Sequence, residues 1–193
     1  MFLFDIGAHF GVFSLAAAHF GGKAIAVDPS PSAARMISTQ AALNGCSNSV
    51  QILRAAVSDA NGTIGMLSAG VFAFGFFIVA EGRSKRELTK TPSMTIDRMV
   101  LQFGAPTHIK IDVEGHEAAV LRGAKFALGQ FSPLLFLELH NEMVRSEGGD
   151  PNAALDELTA LGYSRFTLNG EAVDRHAILE RPIIRVVVRR VGP

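Results

Sequence analysis

Three things are scarce in this sequence, and each scarcity narrows what the protein can be. There is one cysteine, Cys46, so no disulfide can form within the chain, and the expected compartment is a reducing one, the cytoplasm. Net charge is zero, with 18 basic and 18 acidic side chains, which removes the electrostatic reason to expect nucleic acid or an anionic membrane as a partner. No apolar run approaches the roughly 18 residues that span a bilayer. No basic segment precedes an apolar one at the start, so a signal peptide is not expected.

What is present is the composition of a folded domain. Hydrophobic residues are 48% and charged residues 19%, which suits buried strands and argues against disorder. A length of 193 residues makes one domain, 1–193, with a substantial core. Residues 1–4 read as a strand with nothing ahead of it. A helical pattern starts at position 11, with Val12, Leu15, Ala16 and His19 near one face, and stops at Gly21-Gly22. Residues 24–27 form a second strand ending in Asp28-Pro29. Ser30 or Ser32 caps a helix reaching about Leu43, and a third strand runs over 50–57. That order is a βαβαβ unit with a parallel sheet.

Beyond it the pattern loosens. Residues 63–67 suggest a short extra strand. Phe72, Phe74 and Phe76 in the run 71–79 are expected to be core or sheet edge, and the polar run 81–91 a surface loop. Thr95 caps a helix to Phe103, 108–113 is a fourth strand, and 116–128 a helix. The fifth strand, 133–140, lacks alternation, as expected of a strand covered on both faces. A helix over 151–161 has Asp150 as cap and Pro151 in its first position. Tyr163–Leu168 and 183–190 form a terminal pair of strands, with Asn169-Gly170 opening the loop between them.

Two segments carry the chemistry. Asp5-Ile6-Gly7-Ala8-His9-Phe10-Gly11 and Lys110-Ile111-Asp112-Val113-Glu114-Gly115-His116-Glu117 each run from an apolar strand through acidic residues and glycine into a helix. In open α/β sheets ligands bind at the carboxyl ends of strands, so both segments describe the rim of a crevice. Glycine at the end of strand one permits a tight turn and close approach of the backbone to a ligand. The spacing is Gly-x-x-x-Gly, and His9 stands where a dinucleotide site needs its middle glycine. A nucleoside-like ligand without a pyrophosphate therefore fits better than NAD. Asp5 is placed to accept a hydrogen bond or counter a positive charge. Asp28, at the end of strand two, is where a carboxylate grips ribose hydroxyls. Together they suit S-adenosylmethionine.

These segments, with Asp28-Pro29, Thr95-Ile96-Asp97, Leu121-Arg122-Gly123-Ala124 and Leu137-Glu138-Leu139-His140, resemble the FkbM-type methyltransferases over roughly residues 2–140. The family differs modestly at two positions, with Asn usual at 9 and Glu usual at 28, and its members usually carry a segment ahead of strand one. The resemblance implies an α/β fold of the class I methyltransferase (Rossmann-like) type, a three-layer sandwich with a mostly parallel sheet and an antiparallel C-terminal strand. It implies O-methylation of a saccharide or small natural product with S-adenosylmethionine as cofactor. The cofactor set becomes Asp5, Gly7, Ala8, Gly11, Asp28, Ser58 and Asp59.

On strand four, alternation puts Lys110, Asp112 and Glu114 on one side, and Glu138 and His140 share a side on strand five. If those strands are neighbours, as the family implies, Asp112, Glu114 and His140 are the candidates to receive the acceptor's proton. Lys110 is expected to pair with a carboxylate, and Glu117 is equally readable as helix capping. Asp112, Glu138 and His140 are chemically able to hold a divalent cation, but no compact ligand motif supports one, and no metal is expected. Two other functions stay open: a truncated cofactor-binding domain without activity of its own, and an NAD(P)-binding oxidoreductase, which His9 disfavours. A homo-oligomer is left open.

Overall fold

The computed structural model describes residues 1–68, 76–78 and 88–191. Strand β1 (Phe2–Ile6), helix α1 (Val12–His19), β2 (Lys23–Val27), α2 (Pro31–Leu43) and β3 (Val50–Leu53) form the βαβαβ unit. The chain then leaves the main sheet through β4 (Ala56–Val57), β5 (Gly62–Ser68), β6 (Phe76–Ile78) and β7 (Thr89–Met94), and returns by α3 (Ile96–Phe103) into β8 (His108–Ile111). Helices α4 (Glu117–Arg122) and α5 (Lys125–Phe131) lead to β9 (Leu134–Leu139). After it come α6 (Asn141–Ser146), α7 (Asn152–Ala160), β10 (Tyr163–Leu168), β11 (Glu171–Ala172), α8 (Arg175–Glu180) and β12 (Ile184–Arg190).

The main sheet has the order β11-β10-β12-β9-β8-β1-β2-β3, and β4-β7-β5-β6 form a second, smaller sheet. Pairs β3–β2, β2–β1, β1–β8 and β8–β9 are parallel, while β12 runs antiparallel between β9 and β10. Both neighbours of β1 are reached by crossovers, one toward β2 and the other toward β8. The crevice of such a sheet opens at that reversal, past Ile6, Val27 and Ile111.

Alternation within the strands divides the core. Phe4, Ile6, Ile25, Val27, Ile109 and Ile111 join the larger cluster with α3, α4, α5, α7 and α8. Leu3, Ala24 and Ala26 face the other way, toward Ala17 and Ala18 of α1 and Ile37 of α2. With helices on both faces of its parallel part, the fold is the expected α/β three-layer arrangement. Alanine on that second face keeps α1 close to the sheet, since large side chains there would hold it off.

Several local expectations are corrected. On α1 the buried residues are Ser14, Ala17 and Ala18, whereas Val12, Ala16 and His19 are exposed. The segment 116–128 is two helices, because Gly123 must lie against the loop after β4: a Cβ there would sit 2.2 Å from the Ser58 carbonyl oxygen. Asp97 then caps the second helix, accepting from Phe126 N and Ala127 N at 3.1 and 2.8 Å. Strand three ends at Leu53, and 56–57 pairs with β7 in the other sheet. In β9, Leu135, Leu137 and Leu139 are buried but Leu134, Phe136 and Glu138 only half-buried, so its second face is not fully covered. The expected stripe at Phe72 and Phe74 and most of the 81–91 loop lie outside the described residues. Residues 89–91 belong to β7, where Thr91 is buried and pairs with Ile64. Thr95 caps α3 as expected, accepting from Arg98 N at 3.0 Å.

Candidate functional site

The Gly7–Gly11 loop is built by packing first. Gly7 has φ 73°, and a Cβ on it would lie 1.8 Å from the Asp112 carbonyl oxygen. Gly11 has φ 77°, and a Cβ there would meet Ile37 Cγ1 at 2.9 Å. Both glycines are thus required by the contact of this loop with the end of β8 and with α2. The loop's amides are used within the fold: Gly7 N and Ala8 N donate to the Val27 carbonyl at 2.9 and 3.0 Å, and Gly11 N to Ala8 O at 2.7 Å. His9 N donates to Asp28 Oδ2 at 2.9 Å. A pyrophosphate needs such N–H groups free, so the missing middle glycine and the hydrogen-bonding agree.

Asp28 is buried at the end of β2, and its second oxygen accepts from Ser30 N at 2.8 Å. Burial raises its pKa, against the opposing effect of the Ser30 and His9 amides and of the His9 and Lys110 charges. Its carboxylate ties the β1 loop to the start of α2 and keeps further lone pairs for a ligand's hydroxyls.

Asp5 is fully buried. Its Oδ2 accepts from Ser14 N and Ser14 Oγ at 3.0 and 2.7 Å, and Oδ1 lies 3.6 Å from Lys110 Nζ. It braces the loop and α1 from behind. Lys110, also buried, donates to the Gly7 carbonyl at 2.5 Å and lies 3.3 Å from Asp112 Oδ2. The expected pairing of Lys110 with a carboxylate is therefore double, and it joins the two sequence segments across β1 and β8.

At the carboxyl ends of β8 and β9 four carboxylates surround one imidazole. Glu117 Oε1 lies 2.9 Å from His140 Nδ1. Glu114 Oε2, Glu138 Oε1 and Asp112 Oδ1 lie 3.3, 3.8 and 3.9 Å from Nε2. Burial lowers the proton affinity of His140, but the Glu117 hydrogen bond and the charges of Glu117, Glu114 and Asp112 outweigh it, so its pKa is raised above 6.5. Burial likewise raises Glu114; His140 opposes this, and Asp112, Glu117 and Glu138 add to it. Glu114 reaches the cluster because the chain turns after β8, with φ 52° at Glu114 and 89° at Gly115. Strand alternation alone does not account for its position.

Residues 5–165 match the family model of the methyltransferase FkbM domain. The chain belongs to that family. Among curated proteins no sequence matches it. Its fold is similar to that of the methyltransferase FkbM from Methylobacillus flagellatus KT, with TM-score 0.60 and 16% identity over 97% of this chain and 42% of that one. This chain therefore spans less than half the length of that protein. A putative rRNA-methylase from Clostridium thermocellum matches with TM-score 0.59 and 8% identity over 99% of this chain and 87% of that one. Geranyl diphosphate C-methyltransferase from Streptomyces coelicolor A3(2), solved with Mg2+, geranyl diphosphate and S-adenosyl-L-homocysteine, matches with TM-score 0.52 and 10% identity over 98% and 73%. At these identities the likeness is one of fold, the class I Rossmann-like methyltransferase fold.

In this FkbM domain the other expected residues lie around the same rim. Ser58 is buried after β4, with its Oγ 2.9 Å from His116 Nε2 and 3.2 Å from Asp59 Oδ1. Asp59 is exposed and bridges to Arg122 by two contacts of 3.2 Å. Burial keeps His116 below its ordinary pKa, against the raising effect of Asp59 and Glu117. Two partners escaped the sequence reading. Glu117 is buried and holds both His140 and Gly115 N, so it does more than cap a helix. Arg185 grips Glu138 through Nε and Nη2 at 2.6 and 2.9 Å from the neighbouring antiparallel strand. Its position alternates with buried Ile184 and Val186, which marks an outward side chain but not its partner. No helix of the described residues is long and apolar enough to cross a membrane.

Proposed function

We propose that this protein transfers a methyl group from S-adenosylmethionine to an oxygen of a saccharide or other small molecule, with residues 1–193 acting as one catalytic domain. The observation that carries the reading is the juxtaposition of the Gly7–Asp28 crevice with the Asp112–His140 rim through Lys110, which touches Gly7, Asp5 and Asp112. Asp28 would hold the ribose hydroxyls, Gly7, Ala8 and Gly11 would let the backbone approach, and Ser58 and Asp59 would complete the cofactor set. Asp5, being fully buried, would support the loop through Ser14 without touching the ligand. The cofactor supplies an electrophilic methyl group on a sulfonium.

The protein's own work is to hold a hydroxyl in line with that methyl and to receive its proton. His140 is only 4% exposed and is bound to Glu117 through Nδ1, so an acceptor's hydroxyl reaches it less readily than it reaches Asp112. Asp112, 28% exposed at the strand end, is the better base, with His140 orienting it. Calorimetry with S-adenosylhomocysteine, followed by single-turnover methyl transfer to a panel of hydroxylated acceptors, tests this. Asp112→Asn should slow transfer by about 10²–10⁴ with cofactor affinity little changed, and His140→Ala should slow it less. A wild-type protein that does not bind S-adenosylhomocysteine refutes the function. If neither variant slows transfer tenfold, the catalytic assignments are wrong.

A further inference from the structure

Among the described residues the rim holds more carboxylate than its cations balance. Asp112, Glu114, Glu117 and Glu138 each place an oxygen within 3.9 Å of the His140 ring. Opposite them stand Lys110, shared with Asp5, and Arg185, bound to Glu138. His140 is only 4% exposed, and a hydrogen bond joins Nδ1 to Glu117 Oε1 at 2.9 Å. An ionised carboxylate only accepts, so the proton of that bond sits on Nδ1, and in the neutral ring the lone pair is on Nε2. Nε2 faces the other three carboxylates, 3.3 Å from Glu114 Oε2, 3.8 Å from Glu138 Oε1 and 3.9 Å from Asp112 Oδ1. A buried imidazole fixed through one nitrogen by a carboxylate, with the other nitrogen turned toward acidic side chains, is how metal-binding histidines are held.

We propose that Asp112, Glu138 and His140 bind a divalent metal ion of the first transition row at the carboxyl ends of β8 and β9. One ligand atom from each lies within 4.8 Å of the other two. Ligands at roughly 2.0–2.2 Å from one ion lie about 3–4.2 Å from each other, so a pair as wide as 4.8 Å must close by about 0.6 Å or more around an ion. The mixed donor set, one imidazole and two carboxylates, favours Mn2+ or Zn2+ over Ca2+ or Mg2+, which prefer oxygen alone. Arg185 and Lys110 then act as the outer partners that orient the ligating carboxylates of Glu138 and Asp112. The role of the ion rests on the function proposed above and changes it in one respect: with Asp112 and His140 as ligands, the ion keeps open positions beside the cofactor crevice where an acceptor's hydroxyl would be made more acidic, and its proton goes to Glu114 in place of Asp112.

The test is metal binding itself, measured on protein stripped with a chelator. Mn2+ is followed by electron paramagnetic resonance and calorimetry, and Zn2+ by calorimetry, in wild type, Glu138→Gln, Asp112→Asn and His176→Gln. His176 pairs with Glu180 on the exposed side of α8 and serves as the control. The expected result is one saturable site in wild type, weakened at least tenfold by Glu138→Gln and by Asp112→Asn and unchanged by His176→Gln. Absence of saturable binding of either ion to wild type overturns the proposal, whatever the folding of the variants. Binding that both rim variants leave unchanged overturns it as well. S-adenosylhomocysteine binding measured on the same wild-type protein separates the two readings. A protein that binds it but neither ion refutes the metal site alone, and one that binds an ion but not S-adenosylhomocysteine refutes the function alone.

Discussion

Replacing Gly7 by alanine tests whether the loop after β1 is built by tertiary contact or by the ligand. The new Cβ would be 1.8 Å from the Asp112 carbonyl oxygen and 2.9 Å from its carbon, both backbone atoms that cannot rotate away. Two costs add. The left-handed backbone, φ 73° at Gly7, costs an alanine about 1–2 kcal/mol. Relief of the overlap by shifting the loop or the end of β8 adds about 1–3 kcal/mol, the scale of overpacking. Gly45→Ala supplies the reference, because Gly45 has φ 66° and a Cβ there meets nothing within 4 Å. Urea unfolding of both variants should show Gly7→Ala to be the more destabilised by about 1–3 kcal/mol. The shift should also displace Lys110 from the Gly7 carbonyl and the His9 amide from Asp28, so S-adenosylhomocysteine affinity should fall along with stability. Equal destabilisation of the two variants would refute the packing argument. Unchanged stability with lost binding would show that the ligand, and not β8, is what needs glycine here.

The remaining predictions concern the two ends of the crevice. Asp28→Ala should weaken S-adenosylhomocysteine binding by about 1.5–3 kcal/mol, roughly ten- to a hundredfold, by calorimetry. Unchanged affinity would remove Asp28 from the ribose site. For His140 the folded pKa lies above 6.5, so the stability it contributes is fully present below that pH and is lost as pH rises through the folded value. Urea midpoints in the presence of a chelator should therefore fall as pH rises above 6.5 toward and through the folded value. Glu117→Gln removes the hydrogen-bonded carboxylate and should move that fall to lower pH, with the ring-proton titration of His140 in NMR shifting the same way. A His140 titration that Glu117→Gln leaves in place would show that the other carboxylates set it.

The primary sequence by itself determined the βαβαβ start, the Thr95 cap, the terminal antiparallel strands and the two rim segments. Those features are local: strand runs, turn glycines, cap residues and acidic strand ends are written in neighbouring positions, and their physics acts over a few residues. It also placed Asp112, Glu138 and His140 at strand ends, since position in a parallel strand decides which end a residue occupies. The tertiary structure alone decided what those residues face. The break at Gly123 comes from Ser58, 65 residues earlier, and the buried side of α1 is chosen by Asp5 reaching Ser14 rather than by the helix's own apolar stripe. Glu117 became the partner of His140, and Arg185 of Glu138, only when α4 docked beside the end of β9 and β12 paired with it. Such contacts join positions far apart in the chain, 103 residues apart for Lys110 and Gly7. No local pattern records them, because the free energy that selects them comes from burial and charge pairing in the assembled sheet.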